Sequence, residues 1–135
     1  MIRTFVDAGV LIYAARAQNE MAELALQILE DDHREFASSI FLKLEVLPKA
    51  IYNQQSSEIK FYKTFFEAVI SWANDINTII EQAYQESSQF GLGAMDALHI
   101  AAAVSVGATE FITNEKPQKS IHRTRSIKVI SIHQL

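Results

Sequence analysis

Short apolar runs bounded by polar residues alternate along the chain with longer stretches in which apolar residues recur every three or four positions. The first run, Ile2 to Val6 ahead of Asp7, suits a short buried strand that ends on a carboxylate. Val10 to Ala15 and Ala22 to Leu29 follow at helical spacing, the second with Met21, Leu24, Ala25, Ile28 and Leu29 on one side. Glu35 to Ser38 predicts a second strand, and Ser38 or Ser39 caps a helix running through Leu44 and Leu47 to about Tyr52, with Pro48 as a point of bending inside it. After the polar stretch Asn53 to Ser57, the positions of Ile59, Tyr62, Phe65, Phe66, Val69 and Ile70 predict a long amphipathic helix. Asn74 to Asn77 interrupts the pattern, Thr78 to Phe90 resumes it, and Gly91-Leu92-Gly93 ends that helix. Met95 to Val106 predicts an Ala-rich apolar helix, followed by strands over Glu110 to Thr113 and Ile127 to Ile132.

The predicted order is strand, helices, strand, helices, strand, strand, with no repeat, low-complexity run or linker. That alternation indicates an α/β chain in which residues 1 to 135 form one domain, with a mainly parallel sheet of four to five short strands covered by helices. Sites in such sheets form beyond the carboxyl ends of the strands, where Asp7 and Glu115 fall. The aromatic side chains Phe61, Phe65, Phe66 and Trp72 read as a core-facing helical stripe or a partner surface.

Composition narrows the chemistry. At 135 residues and 49% hydrophobic content, one core suffices. The absence of cysteine excludes disulfides, thiolate catalysis and zinc ribbons, so a metal site would use Asp, Glu and the four His. Charged residues break the apolar stretches short of a membrane span, and Asp7 comes too early for a signal peptide, so the chain reads as soluble and cytoplasmic. The net charge of -4 is unevenly placed: residues 1 to 115 hold all 16 acids and 7 of the basic residues, whereas residues 116 to 135 hold the other 5 and no acid. This basic end is either a solvated tail or a phosphate-contacting rim beside an acidic pocket.

Four acids stand out. Asp7 sits between a strand and a helix, where a plain helix cap is the simplest account. Glu45 lies within the apolar run Ile40 to Leu47, where a buried carboxylate needs compensation; Lys49, one turn later, is the ordinary candidate. Asp96 opens the helix that carries His99, and the helix N-terminus favours its ionised form. His99 falls on the same face, either hydrogen-bonded near the pocket or touching a phosphate or the ion's water shell. Glu115 follows Phe111-Ile112-Thr113-Asn114 just past a strand. Together the four suit a hard cation, Mg²⁺ or Mn²⁺, and hence phosphodiester hydrolysis. A dinucleotide site and a P-loop lack their glycines, and a phosphoaspartate hydrolase lacks an Asp where Gly9 stands.

Phe5-Val6-Asp7 with Val10-Leu11-Ile12, Ser38-Ser39 leading to Glu45, Asp96-Ala97-Leu98-His99 with Ala101-Ala102-Ala103, and Phe111-Ile112-Thr113-Asn114-Glu115-Lys116 resemble the successive motifs of PIN domains. They span almost the whole chain in order, and the length and helical middle are similar to small bacterial proteins of the VapC toxin type. The resemblance implies a three-layer α/β/α fold and a Mg²⁺- or Mn²⁺-dependent endoribonuclease that leaves 5′-phosphate and 3′-hydroxyl ends. It further implies a homodimer and a cognate antitoxin. On this reading Asp7, Glu45, Asp96 and Glu115 are catalytic, with Asp7, Asp96 and Glu115 on the metal. Thr113, Asn114 and His99 support them, and Lys116, Lys119, Arg123 and Arg125 guide RNA. Two positions depart from the usual motifs: Ala8 stands where Ser or Thr is customary, and Glu115 where Asp is. They motivate a second reading, a chain of the same fold with little catalysis that binds RNA or a protein.

Overall fold

The computed structural model describes all 135 residues. Five strands, β1 (Ile2–Val6), β2 (Arg34–Ser39), β3 (Ser71–Ala73), β4 (Glu110–Thr113) and β5 (Lys128–Ser131), form one sheet in the order β3-β2-β1-β4-β5, and every pairing is parallel. Six helices connect them: α1 (Ala8–Arg16), α2 (Glu20–Leu29), α3 (Ile40–Tyr52), α4 (Ser56–Ala68), α5 (Ile76–Phe90) and α6 (Ala94–Ser105). The architecture is three-layer α/β, as the resemblance implies, built on the helix-covered parallel sheet that the alternation of elements predicts.

From β1 the chain steps outward to β2 and β3, then returns through α5 and α6 to β4 on the other side of β1. The sheet therefore changes direction between β1 and β4, and the carboxyl ends of these two strands flank a crevice where ligands bind in open parallel sheets. Asp7, just past β1, and Asn114 and Glu115, just past β4, border that crevice. The strands are held by buried residues on both faces: Phe5 and Phe111 stack with ring centroids 5.5 Å apart, and all four residues of β4 are buried. On α6, Ala97 and Ala101 to Ala103 are buried. Their small side chains let the helix lie close to the sheet.

Several expectations are corrected. The amphipathic helix ends at Ala68 rather than Ile70, and Ser71–Ala73 forms the edge strand β3, too short to show a period of two. Trp72 is thus a strand residue, not part of the helical stripe. α3 runs from Ile40 to Tyr52 with Pro48 inside it. Ile132 leaves the last strand for a short turn of 3₁₀ helix.

Candidate active site

Asp7 follows β1 and caps α1, and three separate donors converge on it. Its Oδ1 accepts from the Val10 amide at 3.0 Å; its Oδ2 accepts from the Thr113 hydroxyl at 2.5 Å and the Asn114 amide at 3.0 Å. The Thr113 hydroxyl in turn accepts from the Glu115 amide at 3.0 Å, so one hydroxyl joins the first and last acids. A Cβ on Gly9 would lie 2.3 Å to 2.6 Å from atoms of the Asn114 side chain, Cβ included. Only glycine allows the first turn of α1 and the loop after β4 to approach this closely. The loop after β4 is fastened from outside as well, since His133 Nε2 donates to the Asn114 carbonyl at 2.8 Å and His122 Nε2 to the Glu115 carbonyl at 3.1 Å.

Asp96 is the third residue of α6, behind a Gly93 cap, so it does not itself open the helix as the sequence suggested. It accepts no hydrogen bond from the protein, and neither does the Glu115 carboxylate. Burial raises the Asp96 pKa above the usual carboxylate value, the charges of Glu115 and Glu45 add to that, and His99 opposes it. Asp7 is also raised, by burial, against the pull of its three hydrogen bonds and of His99. Glu45 departs from expectation: it lies on the exposed side of α3, and its partner is His99 Nε2 rather than Lys49. His99 is 4% exposed, and its Nδ1 has no hydrogen-bond partner.

A cleft of about 220 Å³ gathers Asp7, Glu45, Asp96, His99 and Glu115 around Gly9 and Asn114. Thr113 stands behind Asp7. Lys116, Lys119, Arg123 and Arg125 are all exposed, and none of them lines the cleft. Arg123 Nη1 donates to the Gly91 carbonyl at 3.5 Å, which brings this segment back to the turn that precedes α6. Sequence reasoning missed the roles of Gly9, His122 and His133. Gly9 acts through a tertiary contact with Asn114, and His122 and His133, 7 and 19 residues from their acceptors, carry no local signal.

The donor set suits a hard divalent cation: four carboxylates, no sulfur, and two of them free of protein partners. Asp7 spends three of its roughly four acceptor positions, leaving about one for a ligand. As arranged, no three acids or histidines stand close enough to share an ion. Closure would fall to Asp96 and Glu115, the two carboxylates that nothing ties down.

Residues 4–123 match the family model of the PIN domain. PIN-domain proteins are in general nucleases that depend on a divalent metal. No curated protein matches the sequence. The fold is similar to that of VapBC2 from Rickettsia felis bound to a promoter DNA fragment, at a TM-score of 0.71 and 15% identity over 96% of this chain and 98% of that one. It is similar also to DNA-bound VapBC from Salmonella typhimurium, at 0.71 and 15% over 98% and 99%. FitAcB from Neisseria gonorrhoeae gives 0.67 and 16%, again over 98% and 99%. The matched span takes in the strand ends that carry Asp7 and Glu115 and the helix that carries Asp96, and on that ground the chain belongs to the PIN domain family.

Proposed function

We propose that this chain is a metal-dependent endoribonuclease that acts as the cytoplasmic toxin of a type II toxin-antitoxin pair. The observation that carries the reading is the meeting of four carboxylates from β1, α3, α6 and the loop after β4 in one cleft at the switch point of the sheet. Asp7, Asp96 and Glu115 are the residues that would hold Mg²⁺ or Mn²⁺. When bound, such an ion supplies charge neutralisation at the phosphodiester and acidifies water.

The protein's own residues have separable tasks. Thr113 and the Asn114 amide fix the Asp7 carboxylate against rotation, so the hydroxyl support missing at Ala8 comes from β4 instead. His99 holds Glu45 at the rim of the cleft, where its carboxylate can accept a proton from an attacking water. The partial positive charge at the start of α6 favours negative oxygens beside Asp96. Lys116, Lys119, Arg123 and Arg125 would contact the RNA backbone outside the cleft.

Incubating the pure protein with single-stranded RNAs and Mn²⁺, beside a chelator control and Asp7→Asn, tests the proposal. Cleavage that requires the ion, yields 5′-phosphate ends and disappears in the variant is the expected result; intact RNA across varied sequences would overturn it. The second reading, a binding module with little catalysis, is favoured by one observation: no three ligands share an ion's reach as arranged.

The toxin assignment also calls for a partner. An apolar groove of about 510 Å³ runs between α2 and α4, with Leu26, Leu29, Phe36, Phe61 and Phe65 along it. It has the size and character to take the apolar face of an antitoxin helix. Phe61→Arg is expected to weaken binding of the protein encoded by the neighbouring gene by about 30-fold or more, as for an aromatic anchor. Titration calorimetry with that protein would read it. We assign the chain a homodimer on family grounds.

A further inference from the structure

We infer that the polar mouth at the far ends of α1 and α3 is a subsite that reads a base of the single-stranded RNA. The inference rests on the proposed activity and extends it to sequence preference. A narrow opening between α1, α3 and α4 is lined by Glu45, Lys49 and Arg16, so it shares Glu45 with the carboxylate cleft. It leads to a second hollow of about 420 Å³ lined only by polar side chains: Arg16, Gln18, Asn53, Gln55 and Glu58. Asp7 caps α1 and Arg16 is its last residue. At the helical rise the two lie about 14 Å apart, a distance that a short stretch of strand crosses.

Arg16 is held in place for this task. Its Nε donates to Glu58 Oε1 at 3.2 Å, and the hydroxyl of Tyr62 donates to the same oxygen at 2.9 Å. Tyr62 is 1% exposed, and the Glu58 side chain 12%. Burial and the neighbouring carboxylate push the Tyr62 hydroxyl up, so it keeps its proton and remains a donor. Both terminal nitrogens of Arg16 are left without a protein partner. Nothing in the carboxylate cleft uses this triad.

The charge balance identifies what binds. Arg16 and Glu58 cancel, so the hollow offers directed donors and acceptors rather than a net positive field. Gln18, Asn53 and Gln55 each present both kinds of group. Backbone phosphates call for unneutralised cations, whereas base edges call for fixed donors and acceptors. A guanidinium fixed through Nε with its terminal nitrogens free matches the O6 and N7 acceptors of guanine. Lys49, which has no carboxylate partner, lies between the hollow and Glu45 and suits the intervening phosphate.

Binding of a random single-stranded RNA pool in Ca²⁺, with the retained molecules sequenced, tests the assignment without requiring cleavage. Wild type should enrich guanine at one position; Arg16→Ala should reduce that enrichment about tenfold, the loss of one bidentate contact. Arg16→Lys should not restore it, since the fork is gone. The exposed substitution Asn53→Ala should flatten the preference at the same position without disturbing Glu58 or Tyr62. Lys49→Ala should leave the preference intact and lower the salt dependence of binding by about one phosphate contact. Unchanged enrichment in Arg16→Ala and Asn53→Ala, or no enrichment in wild type, would overturn the subsite. The same pool in Mn²⁺ reports cleavage separately, so an uncut pool that still shows enrichment counts against the nuclease and for the subsite.

Discussion

Asp96→Asn is expected to lower metal-dependent RNA cleavage by about 10³-fold, while the metal-free protein becomes more stable. The activity loss follows from removing one of two carboxylates free to close on a cation, an interaction that supplies several kcal/mol at the transition state. The gain in stability follows from the site's electrostatics. Asp96 is partly buried, faces the charges of Glu115 and Glu45, and has no protein donor to offset them. Its raised pKa means that its contribution to stability is fully present below the usual carboxylate value and is lost as pH rises through the raised one. Asp7 shifts the same way. Thermal unfolding of the metal-free wild type should therefore move to lower temperature from mildly acidic to neutral pH, and this fall should be smaller in Asp96→Asn. Mn²⁺ should raise the wild-type Tm more at neutral than at acidic pH, because its ligands must be ionised. A variant that unfolds earlier than wild type without metal would contradict the assignment of Asp96 as an unpaired site acid.

The second large effect is expected at a residue with no chemistry of its own. Gly9→Ala should cut activity about 100-fold and destabilise the protein by about 1–3 kcal/mol. The added methyl would overlap Asn114 at its Cβ, not at the end of a flexible chain, so the loop after β4 must move. The Asn114 amide holds Asp7 from that loop, which also carries Glu115 and joins Thr113 at the end of β4, so both acids lose their placement together. Asn114→Gly in the Gly9→Ala background removes the overlap and should recover part of the activity. Denaturant unfolding and cleavage rates on the two variants would check this; full activity in Gly9→Ala would show that the close approach does not matter.

Most of the fold was legible because its elements are long or strongly apolar. β1, β4 and the Ala-rich α6 stand out by composition, and α5 by its period and its glycine stop. β3 was hidden because three residues cannot display alternation, and its neighbour α4 lent it a helical reading. For the site, Asp7 and Glu115 were readable as strand ends, and Asp96 as a carboxylate in the first turn of an apolar helix. Glu45 was singled out for a wrong reason: it is not buried, and its importance comes from reaching His99, 54 positions away. The fastening of the last loop by His122 and His133, and of Arg16 by Glu58 and Tyr62, depends on tertiary contacts that leave no periodic trace.

We propose that Asp7, Asp96 and Glu115 hold one divalent ion. Titration of the metal-free protein with Mn²⁺ at neutral pH, followed by the paramagnetic signal of the free ion, tests it most directly. One Mn²⁺ bound per chain, displaced by Mg²⁺ and lost in Asp96→Asn, is the predicted result; no binding by wild type, or equal binding by the variant, would contradict it.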